Sequence, residues 1–448
     1  MPHGNSAQET MRLARSTDVD AWRITRRLSI LLLALSCSPA GAYSVQTHEQ
    51  LIDLSWESAI APILRTRFPP LTPQQLERAH AAAYGGCAIQ DLGYYPFGRQ
   101  FFSDLTHYIR SGDFIESLFR NARTADELAF AIGALTHYIG DIIGHSYAIN
   151  RSVATEFPDL RARYGPSVSY AQDKHAHVQV EFAFDVNQVA KQRMAPSVYL
   201  RKIGLNVPRR QLAAAFHETY GLNIGDVTGL YRPTLRTYRF GVRTFVPAFS
   251  RAEALLHRGR FPPDPPGPEF DQYQRRIVKL SAEAGWQRYR RGPRICTYLL
   301  AAFIVIVPKI GPMAMLAIKG PTPATEELYI ESVNRATAAF HTALDRMLAA
   351  GAAGHIRLSD LVPNRDLDTG APVIPGGYRL TDQTYFRLLD RITKDPARPI
   401  PASLKRDVLR YYADPGAPIA TKRDPKKWAR VQEELRILAT IPERPEPE

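Results

Sequence analysis

The chain is expected to fold as an all-α protein, and three features of its sequence lead there. Sustained period-2 alternation of apolar and polar residues is scarce. A capping box, Thr124-Ala-Asp-Glu127, opens a strongly apolar run from Leu128 to about Tyr147. Turn and cap signals mark further helical stretches at roughly 173–192, 209–219, 325–350 and 424–440.

At 448 residues the chain exceeds the usual single-domain size. Its hydrophobic content of 45% and charged content of 23% are those of a globular protein with a real core. Residues 43–260 form the expected main domain. Phe261-Pro-Pro-Asp-Pro-Pro-Gly-Pro268 reads as a linker, because its prolines block helix and stiffen the chain. A helical C-terminal region is expected over 269–441, and a disordered tail over 442–448.

The N-terminus carries an export signal. Arg23, Arg26 and Arg27 precede the apolar run Leu28–Leu35, followed by Pro39 and the small triplet Ala40-Gly41-Ala42. This is the order of a secretory signal peptide, and the run is too short to span a bilayer. Cleavage after Ala42 would make Tyr43 the new terminus, and a periplasmic or secreted location is expected. The formal net charge is +13, and residues 1–42 account for five Arg against one Glu and two Asp. The strongly basic remainder favours anionic partners such as phospholipid headgroups or nucleic acid.

A second apolar stretch, Tyr298 to Ile318, lies behind Arg290, Arg291 and Arg294 and is interrupted by Pro308, Lys309, Gly311 and Pro312. Those interruptions argue against a membrane span. A buried pair of short helices and partial insertion into a membrane surface both remain open.

Metal chemistry is written in spacings of four. His137, Asp141 and His145 occur in His-Tyr-Ile-Gly-Asp-Ile-Ile-Gly-His, so on a helix they fall along one face. His177 and Glu181 repeat the step. Nitrogen and oxygen donors of this kind suit zinc. The surrounding Leu135, Ile139, Ile142 and Ile143 are apolar, and burying so many titratable groups without a metal would be costly. Cys37, Cys87 and Cys296 are too few and too scattered for a disulfide framework or a thiolate metal cluster. Upstream, His48, Asp91 and His107 add further donors. His217, His257, His341 and His355 have no partner at ligand spacing and are expected to be structural. The chain lacks the His-Glu-x-x-His of zinc proteases, a phosphate-binding glycine loop and a nucleophile-elbow serine.

In this order the residues resemble the bacterial zinc-dependent phospholipase C family, whose superfamily includes single-strand-specific zinc nucleases and glycosylphosphatidylinositol-specific phospholipase D. The resemblance covers roughly residues 43–185 and implies a multi-helix phospholipase C/nuclease-like domain with up to three zinc ions. It implies one zinc on Asp91, His107, His137 and Asp141. A second would take His145, His177 and Glu181, leaving a position for water. A third would use the amino group and carbonyl of Tyr43, with His48 and the second oxygen of Asp141. Members usually begin with Trp, where this chain has Tyr43. The three-residue gap between Asp141 and His145 is that of the glycosylphosphatidylinositol-specific relatives.

The implied activity is hydrolysis of a phosphodiester by metal-activated water attacking phosphorus, with no covalent protein intermediate and Asp91 orienting or deprotonating the water. A phospholipid such as phosphatidylcholine is the expected substrate. A single-strand-specific nuclease and a non-catalytic, metal-stabilised membrane-binding module are the alternatives. Tyr94, Tyr95 and Phe97, next to Asp91, are candidate substrate-binding residues under either enzymatic reading. No protein partner is indicated.

Overall fold

A computed structural model describes residues 44–309, 317–353 and 362–445, with residues 348–353 described by backbone alone. The expected signal peptide, Tyr43, residues 310–316 of the apolar stretch and His355 lie outside the described residues. Within them the protein is built from helices, as expected. The one small sheet is a parallel pair, Ile400–Pro401 with Glu443–Arg444, in register Ile400 to Glu443.

The Ala125–Ile143 helix is central. Its start is the expected capping box, with Thr124 Oγ1 accepting from Glu127 N and Glu127 reaching back to the Thr124 amide. Its residues 129–141 are all buried, which explains why the run is apolar on every side. The Pro73–Gly86 helix packs along it at unusually short range. A Cβ on Gly133 would stand 2.1 Å from the Ala83 carbonyl oxygen, and one on Gly86 would stand 2.1 Å from that of Phe130. Only glycine permits this approach. The Val45–Ser55 helix lies against the same element, and Gly140 leaves room for the His48 ring, 3.2 Å from where its Cβ would be.

The expected helices appear at Lys174–Ala190, Arg209–Tyr220, Pro323–Ala353 and Pro425–Thr440. Asp173 caps the first of these, accepting from the amides of His175 and Ala176. Further helices include Gln100–Tyr108, Ser111–Arg120, Pro268–Glu283 and Arg379–Ile392.

Two features of the domain plan differ from expectation. The 261–268 segment does not separate two bodies, because one apolar core runs from Val45 through Phe216 to Leu388, Val431 and Ile441. Its Asp264 carboxylate is held by Lys191 and Arg193, which pins the segment to the end of the Lys174–Ala190 helix. The tail expected to be disordered begins too early, since Glu443 and Arg444 pair with Ile400 and Pro401. Proline content alone does not reveal such pairing, because Pro401 and Pro442 sit at its margins. The first part of the apolar stretch is a helix, Ile295–Ile306, seated on Val246–Leu256 through Ala301 and Ile304. Among the described residues no helix is long and apolar enough to cross a membrane.

Candidate metal centre

Three groups of donor atoms converge in the interior. They are His48 with His137 and Asp141, Asp91 with His107 and His137, and His145 with His177 and Glu181. All eight side chains are buried, and they come from five elements: Val45–Ser55, the 3₁₀ turn Ile89–Tyr94, Gln100–Tyr108, Ala125–Ile143 with its continuation, and Lys174–Ala190.

Asp141 stands between the first two groups. Its Oδ1 is 3.2 Å from His48 Nε2, and its Oδ2 is 3.1 Å from His137 Nε2 and 3.4 Å from His107 Nε2. Asp91 Oδ1 is 3.3 Å from His107 Nε2, and the two imidazole Nε2 atoms are 3.4 Å apart. Ligands bonded to a tetrahedral zinc at 2.0–2.1 Å stand roughly 3.3 Å from one another. The observed separations therefore match the edges of a zinc coordination polyhedron.

Hydrogen bonds behind the rings fix which nitrogen faces inward. His107 Nδ1 lies 2.8 Å from the Ser103 carbonyl, His137 Nδ1 3.0 Å from that of Cys87, and His145 Nδ1 2.8 Å from that of Leu367. A carbonyl only accepts, so each Nδ1 carries the proton and each Nε2 presents a lone pair to the centre. In His177 the roles are exchanged. Asn150 Nδ2 donates to the Asp368 carbonyl, so Asn150 Oδ1 accepts from His177 Nε2 at 2.8 Å, and Nδ1 is turned to Glu181 Oε1.

His145 joins His177 and Glu181 and not the donor groups of His137 and Asp141, although a regular helix would set all three along one face. After Ile143 the winding widens into a π-helical turn over Gly144–Ile149, which delivers the His145 ring to His177, 5.0 Å between centroids. Its Nε2 is 3.6 Å from Glu181 Oε1.

The field within the cluster favours cations. Burial works against ionising Asp141, but His137, His107 and His48 hold it well below the usual carboxylate range. Burial lowers His145 and His107 as well, yet Glu181 and Asp368 push His145 up to about 9, and Asp141 with Asp91 raise His107 well above its ordinary value. Such a set binds protons or displaces them with a metal. Among the described residues, both oxygens of Asp141, Asp91 Oδ1 and His145 Nε2 are buried and make no hydrogen bond. That pattern in a fully buried cluster is explained by metal coordination. Nitrogen and oxygen donors without thiolate at these separations fit zinc.

Of the three aromatics expected to meet substrate, Tyr94 flanks the centre, its ring 6.1 Å from that of His107 and packed with Tyr170 and Val178. Tyr95 is turned away into the core, edge-on to Tyr238 at 5.1 Å. Phe97 points to solvent from a left-handed position, φ 67°. Alternation along an irregular turn, which spacing does not disclose, separates them.

Neither Asn150 nor the segment Val362–Tyr378, which closes over the His145 side, stands out in the sequence. Leu367 N donates to the His107 carbonyl, and Asp368 Oδ2 accepts from the hydroxyls of Tyr108 and Tyr378. A neutral amide and a backbone turn carry no ligand spacing, so neither could be found that way. His341 is bonded to Ser55 Oγ, away from the centre, in keeping with its expected structural role.

The description "zinc dependent phospholipase C" belongs to the family model that matches residues 47–227, a stretch holding every donor of the three groups. No curated protein and no solved structure gives a significant match. The buried histidine and carboxylate clusters and this match agree on a zinc-dependent phosphodiester hydrolase, with residues 47–227 matching the zinc-dependent phospholipase C family.

Proposed function

We propose that the protein is an exported phospholipase C that hydrolyses membrane phospholipids, phosphatidylcholine among them, releasing diacylglycerol and a phosphorylated headgroup. The observation that carries this reading is the set of three buried donor groups, the first two of which meet at the Asp141 carboxylate. Bound zinc lowers the pKa of coordinated water towards ~7 and offsets charge at the phosphate oxygens. Asp91, His107, His137 and Asp141 would hold one ion, and His145, His177 and Glu181 a second. His48 and Asp141, with the amino group and carbonyl of Tyr43, would hold a third.

In the reaction, the oxygen of water forms a bond to phosphorus and the bond from phosphorus to the diacylglycerol oxygen breaks. Asp91 is assigned to orient the water and accept one of its protons; the departing oxygen takes up a proton from solvent to leave as the alcohol, and Asp91 returns its proton to solvent. Tyr94, whose ring lies 6.1 Å from that of His107, is assigned to bound the substrate.

Export follows from the order of basic, apolar and small residues before Tyr43, and it would make signal cleavage the step that frees the Tyr43 amino group. Asp185 anchors the chain at Gln46 and Thr47. It accepts from the amides of Gln46 and Thr47 and from Thr47 Oγ1, which fixes the start of the helix that carries His48. Contact with the lipid surface is assigned to the Ile295–Ile306 helix. Ile295, Tyr298, Leu299, Val305 and Ile306 face outward there beside exposed Arg291 and Arg294.

The test is direct. Purified protein lacking residues 1–42 is loaded with zinc and offered phosphatidylcholine vesicles and single-stranded DNA side by side. Phosphocholine is the expected product. Nucleotide release without any phosphorylated headgroup overturns the lipid reading.

A further inference from the structure

The family match ends at residue 227, yet a turn far beyond it touches both halves of the metal centre. Leu367 N donates to the carbonyl of His107 at 3.0 Å, and Leu367 O accepts from His145 Nδ1 at 2.8 Å. The next carbonyl, that of Asp368, accepts from Asn150 Nδ2 at 2.9 Å, and Asn150 in turn orients His177. Two consecutive residues thus use main-chain atoms to reach the His107 backbone and the His145 imidazole directly, and the His177 imidazole by way of Asn150.

Main-chain contacts hold only if the turn is held, and the Asp368 carboxylate does this. It is buried, and its Oδ2 accepts from Tyr108 at 2.9 Å and Tyr378 at 2.6 Å. Tyr108 adjoins His107, so the carboxylate ties the turn to the helix that presents that ring. Its Oδ1 faces His145 Nδ1 at 3.6 Å, the side of the ring that must stay protonated for Nε2 to serve as a donor. The turn is close-set from below as well, since Gly370 has φ +68° and a Cβ there would stand 2.5 Å from the Ile142 carbonyl.

We propose that Asp368 is a positioning residue of the metal centre, supplied by the C-terminal region, which locks the Leu367–Asp368 turn so that His145 and His177 keep their ligating nitrogens turned inward. The inference rests on the phospholipase reading for its metal, but it concerns retention and geometry of the ion and not the substrate. Partners behind a ligating histidine are typically worth about 10- to 100-fold in metal affinity.

The experiment compares wild type with Asp368→Ala and Asp368→Asn in the full chain, by chelator competition for zinc and by the visible absorption of the cobalt(II)-substituted proteins. Asp368→Ala is expected to weaken the ion held by His145, His177 and Glu181 by about 10- to 100-fold and to shift the cobalt bands, with KM for a dispersed short-chain phospholipid nearly unchanged and kcat reduced. Asp368→Asn keeps an acceptor for the tyrosines and is expected to lose less. If the alanine variant does not fold, Tyr378→Phe removes one anchor and is expected to loosen the same ion several-fold, about the effect of one lost hydrogen bond. Wild-type affinity and wild-type cobalt bands in a folded Asp368→Ala or Tyr378→Phe protein overturn the proposal. A wild-type chain that takes up no metal overturns the phospholipase reading and this inference with it, whereas unchanged metal binding in the variants overturns this inference alone.

Discussion

The two oxygens of Asp141 point to different histidines: Oδ1 lies 3.2 Å from His48 Nε2 and Oδ2 lies 3.1 Å from His137 Nε2. One carboxylate therefore joins the first helix of the fold to its central helix, and it is the geometry of a bridging ligand. Asp141→Asn keeps the shape and removes the charge. It is expected to cost more than about 100-fold in metal affinity, beyond the usual effect of a group behind a ligand, and to abolish hydrolysis. Zinc content measured after dialysis decides this, and an unchanged content would refute the bridging role.

Close packing of helices is the second dependence. Gly133 lies one turn before His137, against the Ala83 carbonyl, and backbone cannot swing aside as a side chain does. Gly133→Ala improves helix propensity by about 1 kcal/mol. The overpacking it causes is expected to exceed this, with a net loss of about 1–3 kcal/mol. Denaturant unfolding of the metal-free protein measures that loss. Zinc affinity should fall with it, because His137 Nδ1 is held by the Cys87 carbonyl at the end of the helix pushed away. A stabilised variant with full zinc content would contradict this account.

The parts of the centre legible in the sequence are those written on single helices. His137 with Asp141, and His177 with Glu181, share a helix face because four residues make about one turn, and the structure brings each pair together. Asp91, His48 and His107 carry no such spacing, and their place came from resemblance. The grouping of His145 with His177 and Glu181 likewise came from resemblance and not from spacing. Regular periodicity puts it with Asp141, and the π-helical turn that redirects it leaves no simple mark in composition. Long-range main-chain contacts such as Leu367 to His107 and His145 are invisible to any pattern, because every residue carries the same backbone groups. The helices themselves were read well where caps and apolar runs coincided, as at Thr124 and Asp173. The boundary at 261–268 failed because proline stiffens a chain without saying what it packs against.

The outward face of the Ile295–Ile306 helix yields a prediction that separates surface binding from chemistry. Leu299 and Ile306 are exposed and Ala301 and Ile304 hold the helix to its neighbour, so charge at the outer positions leaves the packing intact. The double variant Leu299→Asp/Ile306→Asp is expected to lose at least about tenfold in activity on phosphatidylcholine vesicles, since each apolar side chain kept out of the lipid forfeits ~1.5–3 kcal/mol. Activity on a dispersed short-chain phospholipid should stay at the wild-type level. Equal activity of variant and wild type on vesicles would remove this helix from the lipid contact.

Stability against pH has a contribution from Asp366, whose carboxyl is pushed up to about 7 by burial, with Asp368 adding repulsion. The unfolded chain ionises this group near ~3.9, whereas the folded protein keeps its proton until about 7. Between those values the folded state binds more protons, so stability falls as pH rises, and above 7 the loss is constant. Asp366→Asn retains a partner for Thr381 Oγ1, which donates to Oδ2 at 2.7 Å, and removes the titration. The variant should melt close to wild type at pH 4, gain on it steadily from pH 4 to 7, and hold that gain at pH 8. Calorimetry of the two proteins in parallel cancels the other titrating groups. A melting difference independent of pH, or one that grows on acidification, would show that the Asp366 carboxyl is already ionised in the folded protein at low pH.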